Sequence, residues 1–248
     1  MYEKLKTALV DLSGETGLLE SQVKITAKIL TPKEAIGETE RKDYPLLQGK
    51  EYLMQADFKG ALGQAFTDAP KNFTGRVKDI LNLKLADNGE RALFIATLNA
   101  VMRHLGVVDK TIHCKNESPE LCAGEIQKTI IEKYGADVRV GIIGFQPAII
   151  DNFSKKVPPC NVKVTDLDEV NVGKVKYGVT IWDGRKMQEE IFKRCDVILA
   201  TGSTVVNNTL SYLISLSQTY QKPFYVYGTT VSGPAKILNL ERLCFQSS

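Results

Sequence analysis

Histidine is nearly missing from this chain: two occur in 248 residues, His104 and His113. A metal site built mainly of imidazoles is therefore excluded, and any bound ion must rely on thiolates and carboxylates. No stretch reaches about 18 consecutive apolar residues, the length a membrane-crossing helix needs. The opening Met-Tyr-Glu-Lys-Leu-Lys lacks the apolar run of a signal peptide. Charge of one sign is also scarce, because 32 Lys and Arg against 29 Asp and Glu leave only +3. That is too weak a field for a nucleic-acid binder. The five cysteines are an odd number in a chain long enough to bury its own core. They argue for a reducing compartment and against a disulfide framework. Together these absences predict a cytoplasmic protein with neither nucleic-acid nor membrane partners.

What is present is globular: 43% apolar and 25% charged residues. No repeat and no Pro/Gly/Ser linker marks a boundary, so the division must come from a change of pattern. From residue 138 onward, short apolar runs (138–143, 162–165, 196–200 and 224–227) alternate with helical patterns at 147–154, 188–194 and 204–220. Uninterrupted apolar runs suit strands buried on both faces, and the alternation is that of a doubly wound parallel α/β sheet. The first half reads as α+β. Helix patterns cover 2–12, 75–81 and 91–105, and strand patterns cover 23–30 and 52–56. The expected organisation is an α+β cap over 1–110, a bridging segment and helix over 111–135, and a Rossmann-like domain over 136–248.

Three predicted strands end in small polar residues. The first runs into Gly144-Phe145-Gln146-Pro147, another into Thr201-Gly202-Ser203-Thr204, and the last into Gly228-Thr229-Thr230. The carboxyl ends of parallel strands bound the ligand crevice, although each exit is equally explained by helix capping. Ser203 or Thr204 would start a long helix whose free N–H groups, with the Asn207 amide, suit a carboxylate or phosphate. No Gly-Lys-Ser/Thr follows, so nothing predicts ATP hydrolysis. Asp166 closes the second strand, where an acidic residue would grip a ribose. The glycine fingerprint before it is incomplete, with Pro147 at the third position.

In the cap, Gly63, Gln64, Phe66 and Thr67 form a glycine-studded, polar-ended segment open to two readings, a bulge and turn or a backbone approach to a ligand. Asn99 stands on an apolar helix, where an amide needs a partner. That partner is either a loop or a ligand in the cleft. The charged run 33–43 reads as a solvated loop. His113, Cys114 and Cys122 fall within one short stretch, and a soft divalent transition metal is the candidate cofactor they suggest. The spacing is unlike a metal knuckle, and Cys122 shares a stripe with Ile126 and Ile130, so a buried structural thiol explains it equally well.

These segments, with Gly49-Lys50-Glu51, Leu98-Asn99-Ala100, Thr111-Ile112-His113-Cys114 and Tyr227-Gly228-Thr229-Thr230, give the chain a resemblance to the DUF364 heavy-metal-chelation family. In that family an enolase-N-terminal-like cap, often classed as DUF4213, precedes a Rossmann-like domain. The resemblance implies a cleft between the two, lined by these motifs and approached by the His113 to Cys122 segment. Three functions follow as expectations. The first is a metal-handling protein that binds a small anionic or metal-bearing ligand in the cleft. The second is an enzyme holding a nucleotide, pterin or methyl donor at the strand ends. The third is a non-catalytic ligand-binding protein of a metal-uptake system. Self-association into a homo-oligomer stays open.

Overall fold

The computed structural model describes residues 1–15, 17–18 and 25–248. The first helix, α1 (Tyr2–Glu15), leads to strand β1 (Ile25–Leu30), so the predicted start of that strand at Val23 lies outside the described residues. A short helix α2 (Pro32–Ile36) follows, begun by a capping box in which Thr31 and Glu34 satisfy each other's backbone amides. Strands β2 (Tyr52–Phe58) and β3 (Ala61–Thr67) form a hairpin. Its two turn residues, Lys59 (φ 53°) and Gly60 (φ 81°), are both left-handed, as a tight two-residue turn requires. The glycine-studded segment is therefore turn and strand, with no bulge. Strand β4 (Phe73–Gly75) and helices α3 (Val77–Leu81) and α4 (Asn88–His104) complete this half. The sheet is antiparallel in the order β3-β2-β1-β4.

Helix α4 begins where the Asp87 carboxylate accepts the Glu90 amide, and every residue from Ala92 to Met102 is buried. A helix apolar on all sides belongs inside a molecule, and α4 lies between the antiparallel sheet and the second half. It packs directly on β3. A Cβ on Gly63 would fall 2.2 Å from the Ala100 nitrogen and 2.3 Å from the Ala96 oxygen, so the contact depends on glycine.

Helix α5 (Ser118–Tyr134) leads into the second half. There follow β5 (Val140–Ile143), α6 (Pro147–Ser154), β6 (Val162–Asp166), β7 (Val175–Lys176), β8 (Val179–Asp183), α7 (Gln188–Arg194), β9 (Val197–Thr201), α8 (Ser203–Val206), α9 (Leu210–Tyr220), β10 (Phe224–Tyr227), α10 (Ser232–Leu238) and β11 (Glu241–Leu243). The sheet order is β11-β10-β9-β5-β6-β8-β7, parallel except for the β7–β8 hairpin. The chain winds outward from β5 through β6 to β8, then returns to β9 and winds the other way. This is the expected α/β Rossmann-like architecture, with its topological switch point between β5 and β9. The predicted helix 204–220 is instead two helices, because Asn208 takes a left-handed conformation (φ 64°) that ends α8 after one turn.

Two cores hold the molecule together, and each draws on both halves. One joins Leu5, Phe58 and Phe94 to Ile198, Leu213 and Val226. The other joins Leu30, Ile36 and Leu53 to Ile126, Ile149 and Val164 on the opposite face of the parallel sheet. The run 33–43 is only in part the solvated loop expected from its charge: Lys33, Glu34, Glu38, Glu40 and Lys42 are exposed, but 33–36 belongs to α2 and Arg41 is anchored. Arg41 forks onto Glu120 of α5 and also reaches Asp151 of α6 (2.7 Å) and the Tyr177 hydroxyl (2.7 Å), which in turn donates to Asp43. No helix among the described residues is long and apolar enough to cross a membrane.

Candidate functional site

A cavity of about 770 Å³ opens at the carboxyl ends of β5, β6, β9 and β10, roofed by residues of the first half. Phe66, Thr67, Gly144, Asp166, Thr201 to Thr204, Asn207, Gly228 to Thr230, His113, Cys114 and Cys122 all line it. Gly144 (φ 96°) sits at the switch point, where a Cβ would meet the Thr201 methyl at 2.5 Å.

Gly63, Gln64 and Asn99 do not line the cavity, and each has a structural task. Gly63 admits the close approach of α4. The buried Gln64 amide donates to Gln55, and its oxygen accepts the His113 N–H at 2.6 Å. Asn99 is fully enclosed. Its Nδ2 donates to the carbonyls of Gln64 (3.0 Å), Thr229 (3.2 Å) and Thr230 (3.1 Å), and its Oδ1 accepts the Gly233 N–H at 2.8 Å. It thus ties a strand of the first half to the loop that walls the cavity, which is the loop-tying alternative.

The expected anion-binding helix start is absent, since α8 has a single turn and carries little dipole. Thr204 Oγ1 donates to the Thr201 carbonyl (2.7 Å), and Asn207 Oδ1 accepts from the N–H and hydroxyl of Thr209. Gly202 serves packing: its Cβ would stand 3.0 Å from the Val231 nitrogen and 3.1 Å from the Tyr227 oxygen. Asp166 is not a free ribose clamp. One oxygen accepts the Phe145 N–H (2.6 Å) and the other the Asp168 N–H (2.7 Å), which fixes the loops after β5 and β6.

The cavity's charge is set by Asp166, by Lys50 and Glu51 of the Gly49-Lys50-Glu51 motif, and by Asp68, Asp168 and Arg185, which sequence reasoning did not single out. Glu51, Asp68 and Asp168 line it with Asp166, against Lys50 and Arg185, and Lys50 is already paired with Asp168 at 2.9 Å. Glu51 makes no hydrogen bond or ion pair among the described residues. Burial, and then the charges of Asp166, Asp68 and Asp168, push its carboxyl up to about 7. Deeper in the wall, the buried hydroxyls of Thr165 and Thr229 have no partner. Tyr227, beside them, is held in its neutral form first by burial and then by the charges of Asp166 and Glu51. Buried polar groups without partners are rare and costly.

The opposite end is sulfur-rich. His113 donates from Nδ1 to the Ala35 carbonyl (3.2 Å) and packs edge-on against Phe66. Burial depresses its pKa to about 4, so the ring is neutral. Burial pushes Cys114 up to about 12. The Cys122 thiol is raised as well, by the neighbouring Cys244 and by burial. Cys244 lines the same wall. Among the described residues, no three His, Cys, Asp or Glu side chains converge as a metal cage. His113, Cys114 and Cys122 share the cavity without forming one.

In sequence, residues 129–238 match the family model DUF364, described as "Putative heavy-metal chelation". No curated protein matches the chain. In structure, it is similar to a DUF364-family protein of unknown function from Pyrococcus horikoshii, with a TM-score of 0.54 and 16% identity over 92% of this chain and 78% of that one. A DUF364-family protein of unknown function from Desulfitobacterium hafniense aligns with a TM-score of 0.48 and 15% identity, over 75% of this chain and 72% of that one.

Proposed function

For this chain, whose residues 129–238 match the DUF364 family model, we propose a binding function: the cavity takes up a small cationic or metal-bearing ligand. The observation that carries this reading is the unpartnered Glu51 carboxyl, which stands among Asp68, Asp166 and Asp168 in the wall of an otherwise largely apolar cavity. Four carboxylates against one paired lysine and one arginine repel an anion, so the anionic half of the sequence expectation is set aside. Because no three ligating side chains converge, a metal fits as cargo that arrives with donors of its own.

A second reading, as an enzyme, is favoured by the position of the cavity at the switch point between β5 and β9. Of the cofactors considered for it, a sulfonium methyl donor alone combines a permanent positive charge with no phosphates.

Thermal unfolding in the presence of zinc, nickel and copper ions, each free and as a histidine or citrate complex, tests the proposal alongside a sulfonium methyl donor and phosphate. A ligand at a hundredfold excess over its Kd adds about 2.7 kcal/mol. Stabilisation by a complex or a sulfonium, weakened in Glu51→Gln, is the expected result. Stabilisation by phosphate alone, or by none of the probes, overturns it.

A further inference from the structure

Every carboxylate that lines the cavity except one already has a donor. Asp166 accepts two backbone N–H groups, Asp168 holds Lys50 (2.9 Å), and Asp68 accepts the Asn88 amide (2.8 Å). Glu51 has none among the described residues, and the backbone fixes where it stands. The β2–β3 ladder ends on the pair Tyr52 and Thr67, so Glu51 and Asp68 are the next residues of the two chains, at one end of the hairpin and both in the cavity wall. The adjacent Lys50 is engaged by Asp168. The wall therefore lacks one donor, and that donor must come from a guest.

Apart from its thiols and His113, the sulfur-rich end is apolar. Pro119, Cys122, Ala123 and Ile126 form one buried stripe of α5, spaced three and four residues apart, and all line the cavity. Tyr44 lines it as well, and its hydroxyl is taken up by Glu120 (2.7 Å), which leaves the ring to offer carbon. A bare ion, or a simple ammonium, would leave this wall uncovered. A volume of about 770 Å³ is that of a site which encloses a drug-sized molecule.

We propose that the ligand is an amphiphilic organic amine, with one protonated nitrogen that donates to Glu51 and an aromatic or branched apolar body that lies along the α5 stripe and Tyr44. This rests on the reading of the cavity as a cation site and narrows it. A protonated nitrogen supplies both the charge and the N–H donor that the Glu51 carboxylate lacks, whereas a sulfonium centre supplies charge alone. One nitrogen is enough, because the other three carboxylates are already engaged.

The test is isothermal titration calorimetry at pH 8, above the Glu51 pKa of about 7, so that its carboxyl is ionised. The probes separate charge from body: 4-phenylbutylamine, 4-phenylbutanol, 4-phenylbutyrate and ethylamine. The phenylbutylamine should bind roughly tenfold to a hundredfold more tightly than the alcohol, the worth of one charge-assisted hydrogen bond. Ethylamine and the carboxylate should bind more weakly than either. In Glu51→Gln the amine and the alcohol should bind alike, and the alcohol affinity that remains shows a loss of recognition without a loss of folding. Equal affinity for amine and alcohol in the wild type, or ethylamine binding as tightly as phenylbutylamine, overturns the proposal. So does binding by none of the probes. If the metal complexes then still stabilise the protein through Glu51, the cation reading stands without the amine, and if they do not, both fall.

Discussion

Glu51 sits next to Lys50 in the sequence, yet the lysine pairs with Asp168 and the carboxyl is left alone in the wall. Its folded pKa, near 7, lies above the ordinary carboxylate value, so its contribution to stability is full below about pH 4 and is lost as the pH rises through 7. Asp168, Asp151 and Glu120, whose pKa values are lowered, act in the opposite direction, so the effect must be read as a difference. Denaturant unfolding across pH 4 to 8 should give Glu51→Gln a smaller loss of stability toward high pH than wild type. Parallel curves would remove the unusual titration. At Asn99, replacement by alanine strands the carbonyls of Gln64 and Thr230 and the Gly233 N–H in a sealed space, while the Thr229 carbonyl keeps Ser232, and about 3 kcal/mol should be lost in urea unfolding. The need of Asn99 for a partner was legible, because an amide in the middle of an apolar helix cannot be left unpaired. Glu51 entered only as part of the Gly49-Lys50-Glu51 motif, because two of the carboxylates that surround it, Asp166 and Asp168, lie more than a hundred residues away.

The elements themselves were largely legible. Residues 224–227 and 147–154 are strand and helix as their patterns predict, and the polar strand exits that follow β5, β9 and β10 do meet around one cavity. The failures have local causes. The apolar face of 204–220 is continuous, and only the backbone of Asn208 divides it. The two strands β7 and β11 are too short, at two and three residues, to show a period. The tightest contact between elements, β3 on α4, gives a direct test. Gly63→Ala places a methyl carbon 2.2 Å from a backbone nitrogen, which neither element can yield without moving the other. A loss of about 3 kcal/mol or more is expected by thermal or urea unfolding, against near neutrality for Gly60→Asn at the hairpin turn, where nothing crowds the site.

At the scale of the molecule, the sequence suggests two units joined by a helix, whereas both hydrophobic cores cross from one half to the other. Periodicity shows which face of an element is apolar but not which neighbour will cover it. Unfolding should therefore be a single transition, with far-ultraviolet circular dichroism and the fluorescence of Trp182 changing together. Two separated transitions would show that the halves hold independently. The Asn99 clamp has a further consequence. Because it fastens the loop at Thr229 and Thr230 to strand β3, the roof and the floor of the cavity are riveted to one another. The cavity is thus a socket with a fixed rim and not a clamshell, and any guest would have to be exchanged without the two halves swinging apart.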